Sequence, residues 1–136
     1  MPAAYRPPMT AARQRLGRYA ETIVARELER RGWQILARNA GPADVRGELD
    51  IVALDGRELV VVEVKAGRLG AAAGPVSPLE MVGPRKRARL RSLAAAWARE
   101  HRAELPPARG LRIDVVGLRI DPAGRVAEWR HVRAAC

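Results

Sequence analysis

Gly47-Glu48-Leu49-Asp50-Ile51-Val52-Ala53-Leu54-Asp55-Gly56-Arg57-Glu58-Leu59-Val60-Val61-Val62-Glu63-Val64-Lys65 is the stretch whose reading decides the fold. Two apolar, β-branched runs are joined by Asp55-Gly56, and Asp-Gly between such runs is a strong hairpin signal. Side chains alternate faces along a strand, so Leu59, Val61, Glu63 and Lys65 share one face and Val60, Val62 and Val64 the other. Two ionisable groups thus stand about 7 Å apart in an otherwise apolar strand. Charged groups are almost never buried alone, so Glu63 and Lys65 each demand a partner. Asp50, near the start of the preceding strand, is the third candidate. Glu48 shares its face and ranks behind it.

Upstream of the hairpin, Thr10 is placed to cap a helix that runs to about Arg31 and stops at Gly32. Leu16, Ala20 and Ile23 begin one apolar stripe, which Glu27 interrupts. The better-filled stripe is Gly17, Val24, Ala25 and Leu28, and Glu21 falls within it. Trp33 to Asn39 reads as a short strand and Ala40 to Arg46 as a loop. Residues 1–10, with Pro2, Pro7 and Pro8, read as a disordered arm ahead of a single domain over 11–136.

Downstream, Ala66 to Pro78 is rich in glycine and alanine and reads as a long loop, either functional or a tolerated insertion. A second helix begins with a turn near Leu79 and resumes after Pro84. From Lys86 the apolar positions Leu90, Leu93, Ala94 and Trp97 recur at helical spacing, so Lys86 heads the core-facing stripe. Arg85, Arg87, Arg89 and Arg91 cluster at the same end. Pro106 and Pro107 close the segment. Strands Leu111 to Ile120 and Arg125 to Val132 follow, joined by Asp121-Pro122-Ala123-Gly124. The order α, β, β, β, α, β, β predicts an α/β fold with a mixed sheet flanked by helices.

The whole chain has 136 residues, 25 of them basic and 15 acidic, for a net charge of +10. That excess favours a polyanionic partner, nucleic acid first, with a membrane surface or an acidic protein behind it. No run approaches the roughly 18 apolar residues of a spanning helix, so no membrane partner is expected. The single cysteine, Cys136, excludes an internal disulfide or a thiolate zinc site and suits a reducing, cytoplasmic setting. The only two lysines among the 25 basic residues are Lys65 and Lys86. Each is a candidate for work that arginine cannot do.

Hard divalent cations take oxygen ligands, and Mg²⁺ is typically held by one or two carboxylates, waters and substrate phosphate. Asp50 and Glu63 can supply the carboxylates and the Val64 carbonyl a third oxygen. Lys65, on the face of Glu63, can then orient the attacking water or stabilise charge on a phosphate. Structural alternatives stand beside these assignments. Glu63 and Lys65 can be an ion pair of no catalytic value, and Glu21 a core-edge carboxylate bonded to an arginine. Asp114, between Ile113 and Val115, reads as a paired buried acid. His101 and His131 read as surface or edge residues, and the three tryptophans as core.

Asp50 followed by Glu63-Val64-Lys65, preceded by a helix carrying Glu21, resembles the PD-(D/E)XK nuclease superfamily and its archaeal Holliday-junction resolvases. The closer resemblance is to the small bacterial YraN family. It rests on Gly17 and Glu21, Asn39, Gly47-Glu48-Leu49-Asp50, Glu63-Val64-Lys65, Lys86 and Arg112-Ile113-Asp114-Val115-Val116. The resemblance implies a restriction-endonuclease-like αβββαβ core. It further implies Asp50 and Glu63 as ligands of Mg²⁺ or Mn²⁺, Lys65 as the catalytic lysine and Glu21 as a further acidic member. Ala20 stands where the family usually has glycine, and the arginine expected soon after the lysine is delayed to Arg68. Lys86, Arg85, Arg89 and Arg68 are the expected substrate contacts. The expected activity is hydrolysis of DNA phosphodiesters, at branched or structured sites. The alternative is a binding module that keeps the fold without turnover. Resolution of a symmetric junction needs two cuts and so a homodimer, for which the sequence shows no surface.

Overall fold

The computed structural model describes residues 11–70, 82–107 and 109–136. The arm at 1–10, the Thr10 cap, the turn near Leu79 and most of the glycine-rich loop lie outside the described residues. The elements are α1 (Ala11–Arg30), β1 (Gln34–Ala40), β2 (Leu49–Asp55), β3 (Glu58–Arg68), α2 (Pro84–Glu100), β4 (Gly110–Ile120) and β5 (Val126–Val132).

Each helix is long enough to bury one stripe and covers one face of the sheet. Ala20, Val24, Ala25 and Leu28 are the buried residues of α1. They pack with Ile51, Ala53, Val60, Val62, Val116, Leu118 and Ile120. Ala20 belongs to this stripe, whereas a side chain at Gly17 would meet nothing within 4 Å. The expected stripe is corrected to that extent. On the other face, Leu90, Leu93, Ala94 and Trp97 of α2 pack with Leu49, Val52, Leu54, Leu59, Val61, Ile113 and Val115. The alternation of valines in β3 therefore feeds two cores, one under each helix. The helix α1 ends in a Schellman motif, with Gly32 at φ +91° and N–H groups of Trp33 and Gly32 donating to the carbonyls of Leu28 and Glu29.

The sheet order is β1-β2-β3-β4-β5. Only the β3–β4 pair is parallel, running in register from Glu58 opposite Gly110 to Arg68 opposite Ile120. The structure extends β3 past Lys65 to Arg68, so Ala66, Gly67 and Arg68 are strand rather than loop. Small residues carry weak strand propensity, and here the backbone ladder to β4 overrides it. The β2–β3 turn sits one residue later than expected. Asp55 pairs with Glu58, and Gly56 at φ +58° takes the first central position. The strand β5 starts at Val126. Asp121 holds the preceding turn by accepting from the N–H groups of Ala123 and Arg125 at 2.9 Å.

Level with Val62 in the β3–β4 ladder, Asp114 is fully buried and paired, as its position between apolar neighbours predicts. Arg112 donates to both of its oxygens, at 2.9 and 3.1 Å, and also to Glu58 and Asp55. His131 is not the edge residue expected. Its side chain is nearly buried, with Nε2 2.8 Å from Asp114 Oδ2 and the ring tilted against Trp33. Burial alone would raise the Asp114 carboxyl, but His131, Arg112 and the Ala134 N–H together hold it below its ordinary value.

Candidate active site

The other ionisable residues singled out above gather where the β2–β3 ladder ends, away from the hairpin turn. The last β2–β3 pair there is Ile51 with Val62. Beyond it Asp50 and Glu63 face one another across the gap between the strands. The Val64 N–H, released from the ladder, donates to Asp50 Oδ2 at 2.8 Å. An extended residue points its N–H and C=O to the same side, so the Val64 carbonyl opens toward the same gap.

Glu63 is only 4% exposed. Its Oε1 lies 3.6 Å from Lys65 Nζ and 3.5 Å from Lys86 Nζ. These separations are ionic contacts too long for strong hydrogen bonds. Lys86 arrives from the first turn of α2, as the stripe that it heads predicts. The connection that delivers Asp50 is packed tightly against the same helix. Gly47, at φ +128°, leaves no room for a side chain beside Leu93 and Arg89, and a methyl on Gly41 would collide with the Gly47 carbonyl.

Glu21 comes from the α1 side. Its Oε2 is buried and has no hydrogen-bond partner. Burial, and then the charge of Asp50, push its carboxyl above the ordinary value, while a hydrogen bond with Asn39 and the charges of Arg38 and Arg18 pull it back. Asn39 adopts φ +49°, a left-handed conformation that asparagine tolerates better than most residues. Arg38 reaches across from β1 and donates to Thr22 Oγ1 at 2.9 Å.

The charge of Asp50 is felt at Glu21, and Asp50 in turn feels Glu63. Burial first, and then Glu63, push its carboxyl up from 3.8 to about 6, against the pull of the Val64 N–H, Lys65 and Lys86. Of the three acids, Glu63 is met by two lysines and Asp50 by the Val64 N–H, and Glu21 Oε2 alone is buried without a hydrogen-bond partner among the described residues. Among the described residues no group of three or more His, Cys, Asp or Glu side chains is placed to enclose an ion. A cation here would take Asp50, Glu63 and the Val64 carbonyl and leave its other positions to water or substrate. That donor set fits Mg²⁺ or Mn²⁺, and the unpaired Glu21 oxygen supplies a further acceptor close by.

The expected substrate contacts are distributed less evenly. Arg85 is exposed in the first turn of α2. Arg89 donates to the Arg46 carbonyl at 3.2 Å and so braces the loop before β2. Arg68 is exposed, but strand alternation puts it with Val62 and Val64, on the α1 face rather than the face of Glu63 and Lys65. Glu48 is exposed. The residues that sequence reasoning missed are Arg18 and Arg38 beside Glu21. Only the i, i+3 spacing of Arg18 and Glu21 hinted at them.

A model described as the uncharacterised protein family UPF0102 matches residues 20–118, a span that contains every proposed ligand and both lysines. The chain belongs to this family, the YraN family. Relatives described as UPF0102 proteins include one from Acidothermus cellulolyticus, 54% identical over 68% of this chain and 67% of its own. Another, from Arthrobacter, is 45% identical over 89% of this chain and 98% of its own. A third, from Streptomyces coelicolor, is 45% identical over 83% and 82%. Among solved structures, a fdxN element excision controlling factor from Anabaena variabilis is similar at 16% identity. It covers 82% of this chain and 97% of its own, with a TM-score of 0.35, too distant to inform on this YraN chain.

Proposed function

We propose that this YraN-family chain is a divalent-metal-dependent endonuclease that hydrolyses DNA phosphodiester bonds, at branched or otherwise structured sites. The observation that carries this reading is the meeting of Asp50 and Glu63 in the gap between β2 and β3, with Lys65 on the face of Glu63. Asp50, Glu63 and the Val64 carbonyl would hold the cation, Mg²⁺ or Mn²⁺. Such an ion supplies Lewis-acid stabilisation of the charge that builds on the phosphate. Lys65 Nζ, a compact donor on a rigid strand, is positioned to donate to a phosphate oxygen as that charge develops or to orient the attacking water. Lys86 meets the same Glu63 oxygen as Lys65, from α2, and offers a second ammonium to an incoming phosphate. Glu21, whose Oε2 has no hydrogen-bond partner, would provide a further acceptor for a proton or a water.

The test is a cleavage panel of branched, nicked and linear DNA with Mg²⁺ or Mn²⁺. Asp50→Ala, Glu63→Ala and Lys65→Ala are each expected to abolish cutting while DNA binding persists. Unchanged cleavage in all three variants sinks the reading. A second reading, a DNA-binding module without turnover, draws on the contacts of both lysines with Glu63, which balance that carboxylate without a metal. It predicts salt-sensitive binding and no metal-dependent cutting on any substrate. No described helix is long and apolar enough to cross a membrane.

A further inference from the structure

The cations beside Glu21 are not explained by the machinery above, which draws its basic groups from β3 and α2. Arg15, Arg18 and Glu21 follow one another at spacing three on α1 and so lie along one ridge that runs to the site. Arg15 and Arg18 are exposed. Arg38 joins them from β1 through its bond to Thr22, and the charges of both Arg18 and Arg38 are felt at the Glu21 carboxylate. The first half of α1, from Ala11 to Ala20, holds three arginines and no acid. A helix N-terminus carries the positive end of the macrodipole, so cations there work against the helix, and neither helix has an acid in its first turn. Both helices run this way, and both bring their basic stretch to the end of the sheet where Asp50 lies, from opposite faces. Helix stability does not account for that placement; charge complementarity to a polyanion does.

From this juxtaposition we infer that Arg15, Arg18 and Arg38 form a second phosphate-binding arm. It grips the DNA backbone on the α1 side of the site while Arg85, Lys86 and Lys65 grip it on the α2 side. The arm rests on the nuclease reading for its position but not for its test, because it is a binding surface whether or not the chain cuts. A backbone held on both sides of Asp50 is fixed across the gap rather than hinged at one edge of it.

The experiment measures DNA binding by fluorescence anisotropy over a range of salt concentrations, in chelator so that no cleavage intervenes. Each phosphate contact contributes about 0.9 to the slope of log K against log salt on duplex DNA. Arg15→Gln with Arg18→Gln is expected to lower the slope by about 1.8, with the unfolding midpoint not lowered. The same pair is then made in a Glu21→Gln background. If the arginines serve only to balance Glu21, their removal there has no effect on the slope, which overturns the inference; the same drop in slope supports it. An unchanged slope in the first variant also overturns it. So does an equal loss of affinity for polyglutamate, which would mark a docking face for an acidic protein instead. Loss of cleavage in Glu63→Ala with the salt slope intact would separate the fate of the arm from that of the catalytic reading.

Discussion

Replacing Asp50 with asparagine is expected to stabilise the metal-free protein. The Asp50 carboxyl, ordinarily near 3.8, is pushed up to about 6 by burial and by Glu63, with Lys65, Lys86 and the Val64 N–H pulling the other way. A folded-state value raised above the unfolded one means that the protonated form is favoured on folding. The associated stability is fully present below the unfolded value and is lost as pH rises from there through about 6. At 1.36 kcal/mol for each unit of displacement, the ionised carboxylate costs the fold about 3 kcal/mol at neutral pH. Asparagine cannot ionise, and its Oδ1 can still accept from Val64. Urea unfolding in chelator at a series of pH values measures the effect. The variant should exceed wild type by roughly 2–3 kcal/mol near pH 8, and the difference should shrink toward zero as pH approaches 4. Added Mg²⁺ should stabilise wild type and leave the variant unmoved. A variant less stable than wild type near pH 8, or a difference independent of pH, refutes the reasoning.

Asp114→Ala should destabilise by about 1–3 kcal/mol in thermal or urea unfolding, because it leaves a nearly buried His131 and the Ala134 N–H without their acceptor, while Arg112 keeps Glu58 and Asp55. The Asp114 carboxyl is held below its ordinary value, so its contribution is present above the unfolded value and lost as pH falls through the folded one; acid unfolding of wild type should report that loss. Gly47→Ala should cost about 1–3 kcal/mol by urea unfolding, since its methyl meets a Leu93 methyl carbon at 2.9 Å on a backbone already at positive φ. Asn39→Gly keeps the left-handed backbone but removes the bond to Glu21. It should therefore unfold within about 1 kcal/mol of wild type while binding Mn²⁺ more weakly by calorimetry, whereas Asn39→Ala should lose stability as well.

The parts of this molecule that were legible in sequence are those whose signals are local. The β2–β3 hairpin announces itself through Asp55-Gly56 and the valine alternation, and α2 through the spacing of Leu90, Leu93, Ala94 and Trp97. That Glu63 shares its face with Lys65 follows from the period of a strand, and Lys86 reaches that face because it heads the stripe. What stayed hidden depends on partners distant in the chain. His131 reads as ordinary until β5 brings it to Asp114, 17 residues earlier. The tie from Tyr19 to the Gly124 carbonyl joins residues 105 apart. Ala66 and Gly67 looked like loop, whereas the ladder to β4 carries the strand alternation through them to Arg68. Gly41 is required by a close approach to the Gly47 backbone, and Gly47 by a positive φ beside Leu93, neither of which composition can show.

The strand β3 lies between a neighbour that is its immediate predecessor and one that enters about fifty residues later, from Glu58 to Gly110. Hairpins close on the scale of about 1–10 μs, whereas parallel pairing must first close the intervening chain and is slower. The three groups Asp50, Glu63 and Lys65 are therefore expected to meet while still hydrated, before β4 or either helix shields them. The repulsion between Asp50 and Glu63 is mild at that stage and grows only as the core desolvates the gap. The chain thus meets its least favourable electrostatics late in folding, when hydrophobic burial on both faces of the sheet is there to offset them.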